Sequence, residues 1–147
     1  MASTAQKFAA KITIALLAVV SSTYPANAQN VALLLFDGET GKNFVGCLNC
    51  GKYDASSICN RYGDYGSRYS DKSIWNRYGD FGSRYSGKSP WSRYGDGLKI
   101  VDSDGRYYGK FTLSSFGRSK LPIVQAILEA YEKNDDLSEL RDALCDN

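Results

Sequence analysis

The sequence predicts an α+β domain: a small antiparallel sheet from two hairpins, an irregular Tyr/Gly repeat wrapped on it, and two short C-terminal helices. Three observations carry that prediction. A sixteen-residue unit recurs between residues 60 and 97, a strand–turn–strand pattern stands on each side of it, and the chain after residue 118 switches to a helical period.

Residues 1–28 read as a secretory signal peptide. Lys7 and Lys11 supply the positive start, Ile12 to Val20 the short apolar core, and Ala26-Asn27-Ala28 an A-x-A cleavage site. The apolar run is shorter than the ~20 residues a bilayer requires. Cleavage after Ala28 leaves one exported domain, 29–147, periplasmic or secreted, with no transmembrane segment expected in it. Its parts are a first hairpin with a cysteine cluster (29–59), the Tyr/Gly repeats (60–97), a second hairpin (98–118) and a helical tail (119–147). Of the 18 Lys and Arg residues, two lie in the leader, so the remaining domain has 16 basic against 16 acidic side chains. That balance gives no ground for a nucleic-acid partner. The charges are unevenly placed, with residues 60–96 basic and 119–147 acidic, which predicts contact between the two.

Val31 to Phe36, the turn Asp37-Gly38-Glu39-Thr40-Gly41, and Asn43 to Cys47 form the first hairpin pattern. Leu98 to Val101, Asp102-Ser103-Asp104-Gly105, and Arg106 to Leu113 form the second, with Asp37 matching Asp102, Gly41 matching Gly105 and Gly46 matching Gly109. A lone hairpin is marginal in water, so the two are expected to join in one sheet.

Between them, Asn60-Arg61-Tyr62-Gly63-Asp64-Tyr65-Gly66-Ser67-Arg68-Tyr69-Ser70-Asp71-Lys72-Ser73-Ile74-Trp75 returns as Asn76 to Trp91 with few changes, and a third copy starts at Ser92. Gly63, Gly66, Gly79 and Gly82 permit positive φ and predict closely spaced turns instead of a helix. The rings of Tyr62, Tyr65, Tyr69, Trp75, Tyr78, Phe81, Tyr85, Trp91 and Tyr94 are the expected local core, each Trp packing on the next unit's Tyr. The fixed offset of Arg61, Arg77 and Arg93 to Asp64, Asp80 and Asp96 suggests an ion pair within the turn or a guanidinium stacked on Tyr.

In the tail, Pro122 opens a pattern that puts Val124, Ile127, Leu128 and Tyr131 on one face. Asp136 and Glu139 are spaced as a capping box for a second helix with Leu137, Leu140 and Leu144 inward. Both helices are expected on one face of the sheet.

The chain has no histidine, which removes Ser-His-Asp and Cys-His catalysis. The Asp residues lie in turns, where turn chemistry accounts for them. Asp102-Ser103-Asp104-Gly105 has the start of a calcium loop, yet no carboxylate stands where the closing glutamate belongs. No catalytic residue, metal site or cofactor is expected. Cys47, Cys50, Cys59 and Cys145 admit structural disulfides, a four-cysteine zinc site or a dithiol redox pair. The expected pairing ties Cys145 to the cluster at 47–59, first to Cys59, and leaves Cys47 with Cys50 across a turn at Leu48-Asn49. For binding, Trp75, Trp91, Tyr62, Tyr78, Arg61 and Arg77 are the candidates, because rings beside Arg and Asp suit a sugar or a partner's apolar surface.

The repeat, together with Ile100-Val101-Asp102-Ser103-Asp104-Gly105-Arg106-Tyr107-Tyr108-Gly109, Cys47-Leu48-Asn49-Cys50 and Ile58-Cys59-Asn60, resembles a loose group of uncharacterised exported bacterial proteins. The resemblance covers about residues 31–113 and implies no transferable activity. The functional expectation is a non-enzymatic exported binding or structural/adaptor module at the cell envelope, its partner a protein or glycan. The alternative is a thiol-active or zinc-binding periplasmic factor using the four cysteines.

Overall fold

The computed structural model describes residues 31–146, so the expected leader and its cleavage site lie outside the described residues. Strands β1 (Leu34–Asp37), β2 (Phe44–Cys47), β3 (Leu98–Val101) and β4 (Tyr107–Phe111) are followed by helices α1 (Pro122–Lys133) and α2 (Leu137–Cys145). The two hairpins join through β1 and β3 into one antiparallel sheet of order β2-β1-β3-β4. Leu35, Val45, Leu98, Ile100 and Phe111 point from the strands into the core.

The hairpins are built alike, as the matched residues predict. Gly46 and Gly109 both have positive φ, 113° and 91°. A Cβ on Gly46 would meet Ile58 at 2.9 Å, and one on Gly109 would meet Ser119 at 2.8 Å, so both the dihedral and the space select glycine. Asp37 and Asp102 are buried at equivalent turns. The Asp37 carboxylate accepts the backbone N–H groups of Thr40 (2.6 Å), Lys42 (3.1 Å) and Asn43 (2.7 Å), and the Thr40 hydroxyl. Burial alone would raise its pKa, but these bonds, led by Thr40 and Asn43, hold it far below its ordinary 3.8. A carboxylate depressed on folding stabilises fully above the unfolded pKa, and that stabilisation drains away as pH falls. Asp37→Asn is therefore expected to melt on the order of 5 °C lower at pH 7, with the gap closing toward pH 2. Equal melting of variant and parent at both pH values would refute the role.

The repeat is a solenoid of turns. Gly63 N–H donates to Asn60 C=O, Ser67 to Gly63, Ser70 to Ser67, Ser73 to Ser70 and Asn76 to Ser73, and the next coil repeats these bonds from Gly79 to Ser92. The steps are three, four, three, three and three residues, so five turns complete a sixteen-residue coil. Nearly every turn opens on Ser or Asn, whose side chain accepts the N–H two residues on: Asn60 from Tyr62, Ser67 from Tyr69, Ser73 from Trp75, Asn76 from Tyr78. Such side chains satisfy the backbone locally and make a turn where no ladder exists. Gly63, Gly66, Gly79 and Gly82 do not use positive φ, contrary to the expectation. Gly66 and Gly82 are required for space instead: a Cβ would stand 2.0 Å from Asn60 O and 1.9 Å from Asn76 O.

Stacked coils are joined by indoles. Trp75 Nε1 donates to Ile58 O (2.6 Å) and Trp91 Nε1 to Ile74 O (2.7 Å), each reaching back one coil. The Trp75 and Trp91 rings lie 5.8 Å apart, and Trp91 continues onto Phe111 of β4 and Tyr131 of α1. The Trp–Tyr packing expected between units is thus replaced by a Trp–Trp ladder. The contacts anchoring the helices also run to the repeat, not simply to a sheet face: Tyr131 stacks on Trp91, and Arg141 Nε donates to Gly66 O (3.0 Å).

Helix α1 buries Val124, Ile127, Leu128 and Tyr131, the predicted stripe. Asp136 caps α2 by accepting from Ser138 N and Glu139 N, but Glu139 reaches Asn134 instead of closing the box. The inward positions of α2 belong to Leu137, Leu140, Arg141 and Cys145; Leu144 is only half-buried.

Candidate functional site

One consequence of the three-residue turn is that each position in a turn faces a fixed direction. Openers such as Ser73, Asn76, Ser89 and Ser92 are buried. In the turns Ser73-Ile74-Trp75 and Ser89-Pro90-Trp91 the following two residues are buried as well. Five other turns read Ser/Asn-Arg-Tyr: Asn60-Arg61-Tyr62, Ser67-Arg68-Tyr69, Asn76-Arg77-Tyr78, Ser83-Arg84-Tyr85 and Ser92-Arg93-Tyr94. Their tyrosines are 85–97 % exposed. The expected ring core is therefore corrected for Tyr62, Tyr69, Tyr78, Tyr85 and Tyr94, which stand in solvent. Among the candidate binding residues, Trp75 and Trp91 are buried, 3 % and 2 % exposed. Tyr62, Tyr78, Arg61 and Arg77 are exposed on the Arg–Tyr turns.

Three open clefts follow one another where these turns face the α1–α2 junction. The first, about 450 Å³, has Tyr69 and Tyr78 on its walls with Trp75, Asn76 and Leu137. The second, about 490 Å³, has Tyr78 and Tyr85 with Arg77, Arg84 and Asp135. The third, about 750 Å³, has Tyr85 and Tyr94 with Arg93, Tyr131, Glu132 and Asn134. Neighbouring clefts share walls, Tyr78 between the first two and Tyr85 between the last two.

Electrostatics along this face differ from the expected turn-internal pairs. Arg61 binds Asp142 (3.1 Å) and Asp146 (2.5 Å) of the tail, and Arg84 binds Asp135 (2.7 Å), joining the basic repeat to the acidic tail. Asp64, Asp80 and Asp96 face Lys72, Lys88 and Lys110 instead. A guanidinium over a tyrosine is found instead at Arg84, outside the expected set, lying over the Tyr85 ring at 5.6 Å. Exposed pairs of this kind are worth little stability, typically about 0.2–1 kcal/mol. Arg141 went unnoticed in the sequence: it is 2 % exposed, and burial pushes its guanidinium pKa down. Its place one turn after Leu137, on the same face of α2, was the available signal.

The four cysteines form Cys47–Cys50 and Cys59–Cys145. The chain bends at Leu48-Asn49, while Leu48 N–H still donates across to Leu33 O beside β1, and the two Cα atoms lie 5.5 Å apart. Asp102 accepts from Asp104 N, Arg106 N and the Tyr108 hydroxyl, so its carboxylate is occupied by its own turn. Among the described residues no group of three or more acidic, Cys or His side chains is placed to hold a metal ion. Nor is any described helix long and apolar enough to cross a membrane. No protein-family model, curated protein or solved structure matches the chain.

Proposed function

We propose that the chain is a non-enzymatic exported binding module, and that the Arg–Tyr face of its repeat is the binding surface. The observation that carries this reading is a division of labour among rings. Trp75 and Trp91 do the packing, while five tyrosines of the same coils are held almost fully in water, where they contribute little to stability. Single exposed rings are ordinary, but five of them at repeated positions, each following an arginine, suit a partner surface. The leader-like residues 1–28, the two disulfides and the likeness to exported bacterial proteins favour the envelope or the outside as the place of work. A thiol-active or zinc-binding role has less support, because all four sulfurs are engaged in disulfides.

The test is a variant with Tyr62, Tyr69, Tyr78, Tyr85 and Tyr94 all changed to Ser. It is expected to melt within about 3 °C of the parent, since surface changes cost little. Its retention on isolated cell-envelope material should fall at least tenfold. Undiminished retention by a folded variant would refute the binding face.

A further inference from the structure

The three adjoining clefts share one electrical sign. Arg68 and Arg77 line the first with Asp136, Arg77 and Arg84 line the second with Asp135, and Arg84, Arg93 and Lys133 line the third with Glu132 and Asp135. Each cleft thus has one cation in excess. Two of the three carboxylates are already engaged. Asp135 is bound by Arg84 at 2.7 Å, and Asp136 accepts the Ser138 and Glu139 N–H groups at the start of α2. Arg68, Arg77 and Arg93, by contrast, are exposed and make no ion pair among the described residues. Tyr131 lines both the second and the third cleft. Burial raises its pKa and Asp135 adds to the rise, while Arg84, Arg77 and Arg93 all work against it, so three guanidiniums act on this one region.

An anionic ligand is therefore favoured, and the repeat restricts its form. Arg77 and Arg93 hold the same position in successive coils, whose indoles lie 5.8 Å apart, and neighbouring clefts share Tyr78 or Tyr85. Repeated sites with shared walls match a polymer whose charge recurs with each short unit. A guanidinium fork pairs with a carboxylate through two parallel bonds, and phenol faces between the forks can cover the C–H faces of sugar rings. A chain of sugar acids carries both features on every unit. Single-stranded nucleic acid also alternates charge and ring, but it binds along a continuously positive groove, and here a carboxylate interrupts each cleft. We infer that the ligand of this face is an acidic polysaccharide, its carboxylates held by Arg68, Arg77 and Arg93 and its rings lying against Tyr69, Tyr78, Tyr85 and Tyr94. This rests on the binding-module reading and names its ligand. Occupation of several clefts at once makes affinity rise with chain length.

The experiment uses the disulfide-bonded domain and four probes: oligogalacturonate and oligomannuronate of two to eight units, the fully methyl-esterified galacturonate octamer, and a single-stranded DNA octamer. Affinity for at least one uronate is expected to rise at least tenfold from dimer to octamer and to exceed that for the uncharged ester at least tenfold. It should fall as salt is raised from about 50 to about 200 mM. Arg77→Gln combined with Arg93→Gln should weaken the octamer at least tenfold with unchanged melting. Lys72→Gln combined with Lys88→Gln, which removes the same charge outside the three clefts, should change it less than twofold. Equal binding of the ester, or equal loss in the two double variants, would overturn the acidic-polysaccharide inference while sparing the binding face. Tighter binding of DNA, weakened by the arginine variant, would do the same. Failure of both uronates would also overturn it, and envelope retention lost in the five-tyrosine variant would then show that the face still binds something else. Retention that survives in that variant would overturn both.

Discussion

Trp91→Ala is expected to cost about 4 kcal/mol, most of the stability of a domain at the lower end of the ordinary range. The indole is 2 % exposed and touches Trp75, Phe111 and Tyr131, so its removal opens a cavity where sheet, repeat and α1 meet. It also leaves Ile74 O without its donor. Trp91→Phe separates the two effects: the ring remains and the bond goes, for a loss of roughly 1–2 kcal/mol. Urea unfolding followed by circular dichroism measures both variants. A loss below about 1 kcal/mol for the alanine variant would mean that the indole ladder is not what joins the coils.

Breaking Cys59–Cys145 by Cys145→Ser should have a comparable effect. The bond closes a sequence separation of 86 residues, and the chain-entropy model assigns a loop of that size about 4–5 kcal/mol. It also fixes the end of α2, whose other holds on the repeat are the Arg141 bond to Gly66 O and the exposed Arg61 pairs. Cys47–Cys50 spans three residues, so a Cys47→Ser, Cys50→Ser double variant should lose far less. Thermal melting of the two variants beside the parent makes the comparison. A native Cys145 that reacts with a thiol reagent in the unreduced parent would remove the tether altogether.

Much of this architecture was legible because it depends on local patterns. Both hairpins, the α1 stripe and the Asp136 cap are written in spacings of two or three to four residues, and each stands where its spacing puts it. Pairing of β1 with β3 was inferable from the weakness of a lone hairpin. Inside the repeat, attention to glycine hid the better signal, which was Ser or Asn every third residue from 67 to 76 and from 83 to 92. Read in that frame, Tyr after Arg faces water and Trp after Ile or Pro faces inward. Ring type alone could not separate them, since both bury well. The Arg84–Asp135 contact spans 51 residues, and no local rule reaches that far; only the uneven charge of repeat and tail pointed to it.

The ends of the sheet have a bearing on how the molecule behaves in a crowd. Each outer strand is covered at one residue by the chain that follows its hairpin. Cys47 of β2 is bridged in parallel by Ser57, and Lys110 of β4 by Arg118, each through two backbone bonds from the chain that follows its hairpin. Open strand edges are where sheets of separate molecules stitch together into aggregates. The coils bond their backbone within turns instead of along a ladder, and indoles link one coil to the next. A surface carrying so many bare rings would be a poor risk on a protein with a free edge. Here the rings are shown to solvent on a molecule whose two edge strands are four and five residues long and each interrupted by a bridge.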